Sequence, residues 1–351
     1  MLNRRFFLTM CMAGLALSCV QGQPLRVTEM PQQQIHVAPG QYSGITWISG
    51  DRYAVVDDRM RGGGIVFFDI PLRDDGTVWA SRVQRTVPEA TRKAKVSGRD
   101  NEGVAFAGGK LYVSAEGDQS IREYDLEGKA TGVKFTIPAE LGAKAIVRNG
   151  GFEAFTWNGV TGKFWATTEF PLKKDGKDAR LHRLQRFGAG RQPDGQWLYQ
   201  SDEPLVAEQD QAQVMAYVHG ISAMTALDDG RLIVLEREVF VPTGKPQDVL
   251  SRSFTKTKLY LVDPSAPSSD ILPKQLLCEF ETRISLTMAG FDVALANYEG
   301  MCLGPRLPDG RRCLLLLADS QAGMASLAAK VGRKQLTNEF VKVFWLEGDG
   351  I

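Results

Sequence analysis

The stretch RDNEGVAFAGGKLYVSAEGD alternates short apolar runs with polar breaks in the pattern of two strands joined by a tight turn. An apolar run over residues 101–106 contains Glu102 near its start. A second run with β-branched and aromatic residues covers 111–116 and ends at Glu116. Between them, Gly108-Gly109 can adopt the positive φ angles that a hairpin turn needs. The pattern therefore predicts an antiparallel β-hairpin with Glu102 and Glu116 at the same edge of the sheet.

This hairpin pattern occurs five times along the chain, and each second strand reaches an acid at its end. The other copies are residues 42–47 with 53–58, 151–157 with 164–169, 219–224 with 232–237, and 297–302 with 314–319. Third strands are predicted at 65–70, 121–126, 181–187, 258–263 and 341–346. Fainter fourth strands are predicted at 78–83, 133–137, 197–200 and 275–280. Four-stranded units repeated in this way are typical of a β-propeller.

We therefore predict an all-β fold, a β-propeller with five visible blades. A β-sandwich is the alternative, but it would not repeat one hairpin with the acids in register. An N-terminal strand, at 25–29 or 35–37, is predicted to close the ring in the last blade, because an open edge would invite pairing with another chain. A degenerate sixth blade within 188–218 or 238–257 stays open. Long loops are predicted at 88–100, 173–179 and 239–257.

The N-terminal segment, residues 1–22, has the pattern of a signal peptide, with a basic start and an apolar run too short to span a membrane. The pair Arg4-Arg5 is similar to a twin-arginine export signal, and a general secretory signal is the alternative. Lipidation at Cys19 is a further alternative to simple cleavage. We expect an exported protein, periplasmic or extracellular, in which residues 23–351 form a single domain and a membrane is contacted only through a lipid on Cys19.

The charge balance is even, with 42 basic and 41 acidic residues in a chain of 351. This argues against a large nucleic-acid interface and against adhesion of the whole surface to anionic lipid. The hydrophobic content of 43% is sufficient for a sizeable core. We expect a monomer that binds a small anionic substrate or ligand and no nucleic acid.

Four short acidic motifs recur at the hairpins: Asn101-Glu102-Gly103, Gly151-Phe152-Glu153, Leu235-Glu236-Arg237 and Asn297-Tyr298-Glu299-Gly300. In this order they resemble the bacterial phytase-like domain, also called the "esterase-like activity of phytase" domain. The resemblance covers about residues 40 to 346. It implies an exported propeller and hydrolysis of phosphoesters or phosphodiesters. The chain departs from the pattern at Ser43-Gly44 and Ile221-Ser222, where the other units have an acid.

The first strand of each propeller blade lines the central channel, so three glutamates are predicted to point into it: Glu102, Glu153 and Glu299. The acids that end the second strands are expected one layer outward: Asp57, Asp58, Glu116, Glu169, Glu236 and Asp319. Carboxylates crowded in this way repel one another, and a hard cation such as Ca²⁺ would neutralise them. Two amides beside the channel acids are further predicted metal ligands: Asn101 and Asn297.

We predict catalytic roles for side chains near the same end of the channel. A channel glutamate would act as general base while a bound metal polarises a phosphoryl oxygen. Arg237 is the predicted clamp for an anionic group of the substrate, and His219 is a candidate acid, base or ligand at the channel mouth. Each has a structural alternative: the outer acids hydrogen-bond to the neighbouring blade's backbone, Glu236 pairs with Arg237, and His219 is a structural histidine.

We favour an exported, metal-assisted hydrolase of a phosphoester or phosphodiester. The competing hypothesis is a non-catalytic propeller in which the ring holds a structural Ca²⁺ and the loops bind a ligand or a protein. The third hypothesis is a divalent-metal lactonase, because other propellers perform lactone hydrolysis with Glu, Asn and Asp ligands, and Asn101 and Asn297 fit such a set.

Overall fold

The computed structural model describes residues 23–31, 35, 37, 40–95, 99–265, 271–288, 292–319, 324–337 and 340–351. The predicted signal peptide, residues 1–22 with Cys19, lies outside these ranges. Within them the strands form five antiparallel four-stranded sheets, which confirms the all-β prediction. The α-helices in the described ranges are short, and none is long and apolar enough to cross a membrane. They are α1 (Glu89–Lys93), α2 (Glu208–Gln211), α3 (Pro246–Arg252) and α4 (Ala325–Lys330).

Four of the sheets each consist of strands that are consecutive in the chain. Sheet 1 comprises β2 (Tyr42–Ser49), β3 (Arg52–Asp57), β4 (Ile65–Asp69) and β5 (Gln84–Thr86). Sheet 2 comprises β6 (Asn101–Ala107), β7 (Lys110–Ala115), β8 (Ser120–Tyr124) and β9 (Ala130–Lys134). Sheet 3 comprises β10 (Phe152–Asn158), β11 (Lys163–Thr168), β12 (Leu181–Phe187) and β13 (Pro193–Gln200). Sheet 4 comprises β14 (Val214–Ala226), β15 (Leu232–Pro242), β16 (Phe254–Val262) and β17 (Lys274–Thr282).

Sheet 5 joins the two ends of the chain. It comprises β18 (Asn297–Arg306), β19 (Arg312–Asp319), β20 (Val341–Glu347) and the N-terminal strand β1 (Arg26–Glu29). In the antiparallel pair of β1 and β20, Arg26 lies opposite Glu347 and Glu29 lies opposite Phe344. The N-terminal strand thus completes the last sheet, as the sequence predicts.

The first strands of the sheets surround one axis. Strand β2 contacts β6 and β18, β10 contacts β6 and β14, and β14 also contacts β18. This cyclic order is that of a β-propeller, in which the innermost strands line a central channel. The strands approach closely because small residues face their neighbours. A Cβ on Gly103 would lie 2.5 Å from Cβ of Phe155, and one on Gly44 would lie 2.5 Å from the carbonyl oxygen of Glu102.

The apolar core is divided into layers between adjacent sheets. Val56 of sheet 1 packs with Val113 of sheet 2, and Tyr112 of sheet 2 shares a layer with Phe164 of sheet 3. Corresponding layers join sheet 3 to sheet 4, sheet 4 to sheet 5, and sheet 5 back to sheet 1. Burial of apolar surface between each pair of sheets therefore stabilises the ring as a whole.

A β-bulge interrupts the first strand of each sheet. The pairing registers shift between Tyr42 and Ile45, Asn101 and Val104, Phe152 and Ala154, Ile221 and Ala223, and Tyr298 and Gly300. A bulge leaves a residue out of the ladder and redirects its side chain. The bulged residues include Ser43, Glu102, Glu153, Ser222 and Glu299. Three of the five equivalent positions are therefore acidic and two are serine.

Some predicted elements differ from the structure, among them the loop at 88–100, which contains helix α1. The fourth strand of sheet 1 is β5, because residues 80–82 of the predicted strand form a 3₁₀ turn. The predicted loop 239–257 was wrong: it consists largely of the end of β15, helix α3 and the start of β16. Apolar contacts between Val239, Val249 and Leu327 hold this extension of sheet 4 in place. In the described ranges, segments 188–218 and 238–257 thus belong to sheets 3 and 4 and form no further sheet.

Candidate metal and active site

Three glutamates from different sheets meet at one end of the channel. Glu102 on β6, Glu153 on β10 and Glu299 on β18 each occupy the bulge of a first strand. One carboxylate oxygen from each lies within 4.8 Å of those of the other two. Because the bulges remove these residues from the strand ladder, their side chains can point to the axis. The structure therefore brings together residues that are up to 197 positions apart in the chain.

A second group of carboxylates adjoins the first and shares Glu102. Asp58, Asp100 and Glu102 also place one oxygen each within 4.8 Å of one another. Asp58 follows β3 and Asp100 precedes β6, so both come from loops at the same mouth of the channel. We define the carboxylate cluster as these two groups together with Glu169. Its members are Asp58, Asp100, Glu102, Glu153, Glu169 and Glu299.

Arg237 is the buried cation of this cluster. Its guanidinium donates hydrogen bonds of 2.6 Å to Glu169, 3.1 Å to Glu299 and 3.1 Å to the amide oxygen of Asn297. Glu153 lies 3.7 Å away. Asn297 in turn donates to Glu299 at 2.7 Å. The Arg237 side chain is only 4% exposed, so these charge-assisted bonds form in a desolvated environment where they are strong.

Burial raises the pKa values of five carboxyl groups of the cluster: Asp58, Glu102, Glu153, Glu169 and Glu299. Burial is the main cause for Glu102, whose pKa is raised further by Glu299, and for Glu153, whose pKa is raised further by Glu102. The pKa of Glu169 is raised to about 7 by burial, against the opposing effect of Arg237. Burial also raises the pKa of Asp58 to about 7, which Arg59 opposes. The ionised cluster is therefore under electrostatic strain.

The donor set of the cluster fits a hard divalent cation. Glu153, Glu169 and Glu299 lie around the Arg237 guanidinium, and each of the two groups of three carboxylates has oxygens close enough to share an ion. Carboxylate oxygens are the ligands that Ca²⁺ and Mg²⁺ prefer in proteins. One Asp58 oxygen, Oδ1, is buried and accepts no hydrogen bond among the described residues. A cation bound by Glu102, Glu153 and Glu299 would relieve the repulsion between these carboxylates.

A family model described as "Phytase-like: Esterase-like activity of phytase" matches residues 38–321, most of the chain. The chain belongs to this family. The matched range includes Glu102, Glu153, Glu169, Arg237 and Glu299, the centre of the carboxylate cluster. No curated protein has a significant sequence match to the chain.

Solved structures with a similar fold include three propeller-type proteins of low sequence identity. An aldose sugar dehydrogenase from Streptomyces coelicolor, bound to PQQ, is 10% identical with a TM-score of 0.42 and covers 93% of this chain and 100% of its own. A streptogramin B lyase is 11% identical with a TM-score of 0.36, covering 92% and 98%. A calcium-binding regucalcin from Agrobacterium tumefaciens is 10% identical with a TM-score of 0.38, covering 90% and 93%. These similarities are too distant to assign an activity.

Four of the other predicted ligands lie outside the carboxylate cluster: Glu116, Asn101, Asp319 and Glu236. Glu116 accepts a hydrogen bond of 3.1 Å from the backbone N–H of Gly151 in the next sheet, which is the structural alternative stated for the outer acids. Asn101 donates to the carbonyl oxygen of Gly62 at 3.3 Å and so supports the loop that carries Asp58. Asp319 is buried opposite Asn297 in the strand pair.

Glu236 is separated from the cluster, although it precedes Arg237 directly. Consecutive residues of a strand point to opposite faces, and Glu236 lies on the other face of β15. There it binds Lys274 at 2.6 Å, the backbone N–H of Asp202 at 2.9 Å and the hydroxyl of Tyr199. Glu236 therefore belongs to an ionic network between sheets 3 and 4, and a metal site shared with Glu102 is not compatible with this placement.

Arg237 and His219 are placed differently from their predicted roles. The two terminal nitrogens of Arg237 are bonded to Glu169, Glu299 and Asn297, so the guanidinium orients carboxylates and is not open to clamp a substrate anion. His219 is half-buried opposite Glu238 and lines a separate cavity together with His182. Neither group is part of an open anion site at the channel axis.

Asp100 is a cluster member that the sequence analysis missed, and Asp58 was not among the predicted ligands. Asp58 belongs to the acidic pair that ends a second strand, and Asp100 stands two residues before Glu102. The pattern Asp-Asn-Glu was thus the available signal. It does not show that residue 100 has a positive φ of 57°, a conformation in which aspartate is tolerated. Ser43, at the equivalent bulge of sheet 1, hydrogen-bonds to Glu102.

Proposed function

We propose that this protein hydrolyses a phosphoester or phosphodiester at the carboxylate cluster with the help of a divalent cation. The observation that supports this proposal is the convergence of Glu102, Glu153 and Glu299 from three sheets, with oxygens within 4.8 Å of one another. Membership of the phytase-like family favours ester hydrolysis over other chemistry. The five sheets would act as the blades of a closed propeller that holds these side chains rigidly.

Glu102, Glu153 and Glu299 would hold the cation, which we propose to be Ca²⁺. A divalent cation bound there would polarise a phosphoryl oxygen and make a bound water more acidic. Arg237 orients Glu169 and Glu299 and compensates part of their charge. Asp58 lies on the more exposed side of the cluster, where its side chain is 17% exposed, and is the group best placed to accept a proton from water.

Recognition of the substrate anion falls to Arg59 rather than to Arg237. The Arg59 side chain is 73% exposed, and its Nε lies 3.5 Å from Asp58. An exposed guanidinium can bind two phosphate oxygens at once. Because Arg59 and Asp58 are neighbours, an ester bound by Arg59 would lie next to the proposed proton acceptor.

The test is hydrolysis of bis-p-nitrophenyl phosphate and p-nitrophenyl phosphate by purified protein, with EDTA or with added Ca²⁺, Mg²⁺ or Mn²⁺. We expect turnover that requires the cation and falls at least about 100-fold in Glu153→Gln. The matched control is Glu140→Gln, which changes an exposed glutamate of the turn Ala139–Leu141, outside the cluster, and should leave turnover unchanged. Turnover that persists in EDTA, or in Glu153→Gln, contradicts the proposal.

A non-catalytic binding propeller is the second candidate, favoured by the burial of the cluster. The side chains of Arg237 and Glu153 are 4% and 6% exposed, as expected for a site that holds a structural cation. In that case Ca²⁺ would raise the melting temperature without any ester being hydrolysed.

The lactonase hypothesis loses support, because Asn101 bonds to Gly62 rather than to the cluster.

We also propose that residues 1–22 direct export to the periplasm or the extracellular space, with Cys19 as the only point of lipid attachment. The domain of residues 23–351 would act as a monomer on a small anionic substrate, without binding nucleic acid. Mass spectrometry of the exported protein tests this proposal, because it distinguishes a chain cleaved near residue 22 from one that begins with a lipidated Cys19.

A further inference from the structure

A cavity of about 720 Å³ lies beside the carboxylate cluster, at the ends of sheets 3 and 4. This volume is typical of small-molecule binding sites. Apolar side chains supply part of its lining, among them Phe170, Leu172 and Val206. Side chains that can form hydrogen bonds also line it, among them His182, Ser201 and His219.

The cavity and the cluster adjoin each other along two short segments. Glu169, which binds Arg237, is followed directly by Phe170, which lines the cavity. The backbone N–H of Ile221 donates to the carbonyl oxygen of Glu169 at 3.1 Å, and His219 of the cavity lies two residues before it. A ligand that fills the cavity would therefore be next to the Glu169 side of the cluster.

The charged residues at the rim of the cavity compensate one another. Lys177 binds Glu208 at 2.9 Å, and Arg180 lies 3.3 Å from Glu203. The remaining charged residues of the lining are of opposite sign: Lys173 and Asp178. Three cations thus face three anions, and the cavity offers no excess of positive charge for a highly phosphorylated ligand.

The two histidines of the cavity lining are uncharged at neutral pH. Nδ1 of His182 lies 3.3 Å from the carbonyl oxygen of Thr168, which can only accept, so Nδ1 carries the hydrogen. Nε2 then accepts from the hydroxyl of Ser201 at 3.2 Å. Burial lowers the pKa of His182 to about 3 and also lowers that of His219. A ligand would meet neutral hydrogen-bonding groups and apolar side chains.

We propose that this cavity binds the organic part of the ester substrate, as an uncharged aryl or alkyl group that carries a hydroxyl or carbonyl group. The apolar part of that group would pack on Phe170 and Leu172, and its polar group would bond to His219. The assignment of this organic group to a phosphoester rests on the proposed function. The substrate would then be a monoester or diester of such an alcohol, and not a polyphosphorylated ring.

The experiment is a fluorescence titration of the full mature chain with 2-naphthol, an aryl alcohol that is uncharged at pH 7. We expect a dissociation constant below about 1 mM, the affinity typical of a well-fitting ligand of this size. Phe170→Ala and His219→Ala should each weaken binding at least about 5-fold. The matched control is Phe106→Ala, because Phe106 lines a separate cavity of about 280 Å³ formed by other parts of the channel. Inositol hexakisphosphate should not displace 2-naphthol.

Absence of saturable binding at several millimolar 2-naphthol overturns the proposal, and so does equal binding by wild type and both cavity variants. Displacement by inositol hexakisphosphate overturns the assignment of an uncharged group.

Glu153→Gln distinguishes this inference from the proposed function, because this variant should lose hydrolysis and keep 2-naphthol binding. Cation-dependent hydrolysis with an unchanged KM for aryl phosphodiesters in Phe170→Ala refutes the cavity assignment alone. Failure to hydrolyse any ester, with 2-naphthol bound in the cavity, refutes only the proposed function.

Discussion

Arg237 on β15 donates a hydrogen bond of 2.6 Å to Glu169, the residue that follows β11 in the neighbouring sheet. The same guanidinium reaches Glu299 in sheet 5 at 3.1 Å. One side chain of sheet 4 thus connects carboxylates of the two adjacent sheets, 3 and 5, at the channel mouth. Since these groups are buried, the positive charge of Arg237 opposes the repulsion between the glutamates and the cost of removing them from water.

Arg237→Met should destabilise the protein by about 3–5 kcal/mol, because it leaves buried carboxylates without their cation. The loss is measured by urea unfolding in EDTA at neutral pH. The matched control is Arg52→Met, which removes a 43% exposed arginine that pairs with Asp69 at 3.3 Å and should cost less than about 1 kcal/mol. Similar losses for the two variants would show that Arg237 does not stabilise the cluster.

Calcium should stabilise the protein more at about pH 8 than at about pH 5. Asp58 and Glu169 have pKa values of about 7 in the folded chain, above the ordinary 3.8 and 4.5. The folded state therefore binds these protons more tightly than the unfolded state. The two groups cost no stability below their unfolded pKa values; the penalty grows as the pH rises from those values to about 7 and is fully present above that pH. A bound cation removes this penalty where the groups are ionised.

The measurement is the melting temperature with EDTA and with Ca²⁺ at both pH values. Calcium at 100 times its dissociation constant contributes about 2.7 kcal/mol. Glu102→Gln should reduce the shift at the higher pH, whereas Glu140→Gln should leave it unchanged. An equal shift at both pH values would show that calcium binding does not depend on ionisation of the cluster. No shift at either pH would show that calcium does not stabilise the folded chain.

Gly103→Ala should destabilise the ring by about 1–3 kcal/mol, since the added methyl group would overpack the contact between β6 and β10. A Cβ at this position would lie 2.5 Å from Cβ of Phe155 and 2.6 Å from Oγ of Ser114. The matched control is Gly159→Ala, whose Cβ would come no closer than 3.7 Å to Nε1 of Trp157. Urea midpoints compare the two. A Gly103→Ala protein as stable as Gly159→Ala would mean that the inner strands tolerate a wider spacing.

Removal of residues 23–30 should lower the melting temperature and promote association between chains. Without β1, the strand β20 becomes an edge whose backbone groups can pair with another chain. The deletion also removes the 2.5 Å ion pair between Glu29 and Lys342. Size-exclusion chromatography compares the deletion with the chain that begins at Gln23. A monomeric deletion variant of unchanged stability would show that β1 is not needed to protect the edge.

The sequence by itself determined the hairpins, their fivefold repetition and the place of the N-terminal strand. These features depend on local signals, namely the alternation of apolar residues in the strands and the glycine or acidic residues that end them. The two strands of each hairpin are neighbours in the chain, so their pairing needs no long-range information. The recurrence of Glu102, Glu153 and Glu299 at equivalent positions was visible for the same reason.

Only the tertiary structure decided which acids share a site. Glu236 and Arg237 are adjacent in the chain, yet strand alternation sends them to opposite faces, and the bulges of the first strands change that alternation locally. Asp100 joins Glu102 through a backbone conformation that its residue type permits but does not dictate. The cavity beside Glu169 arises where loops of two sheets meet. Distances between groups that are far apart in the chain depend on the packing of all five sheets, and local sequence patterns do not determine that packing.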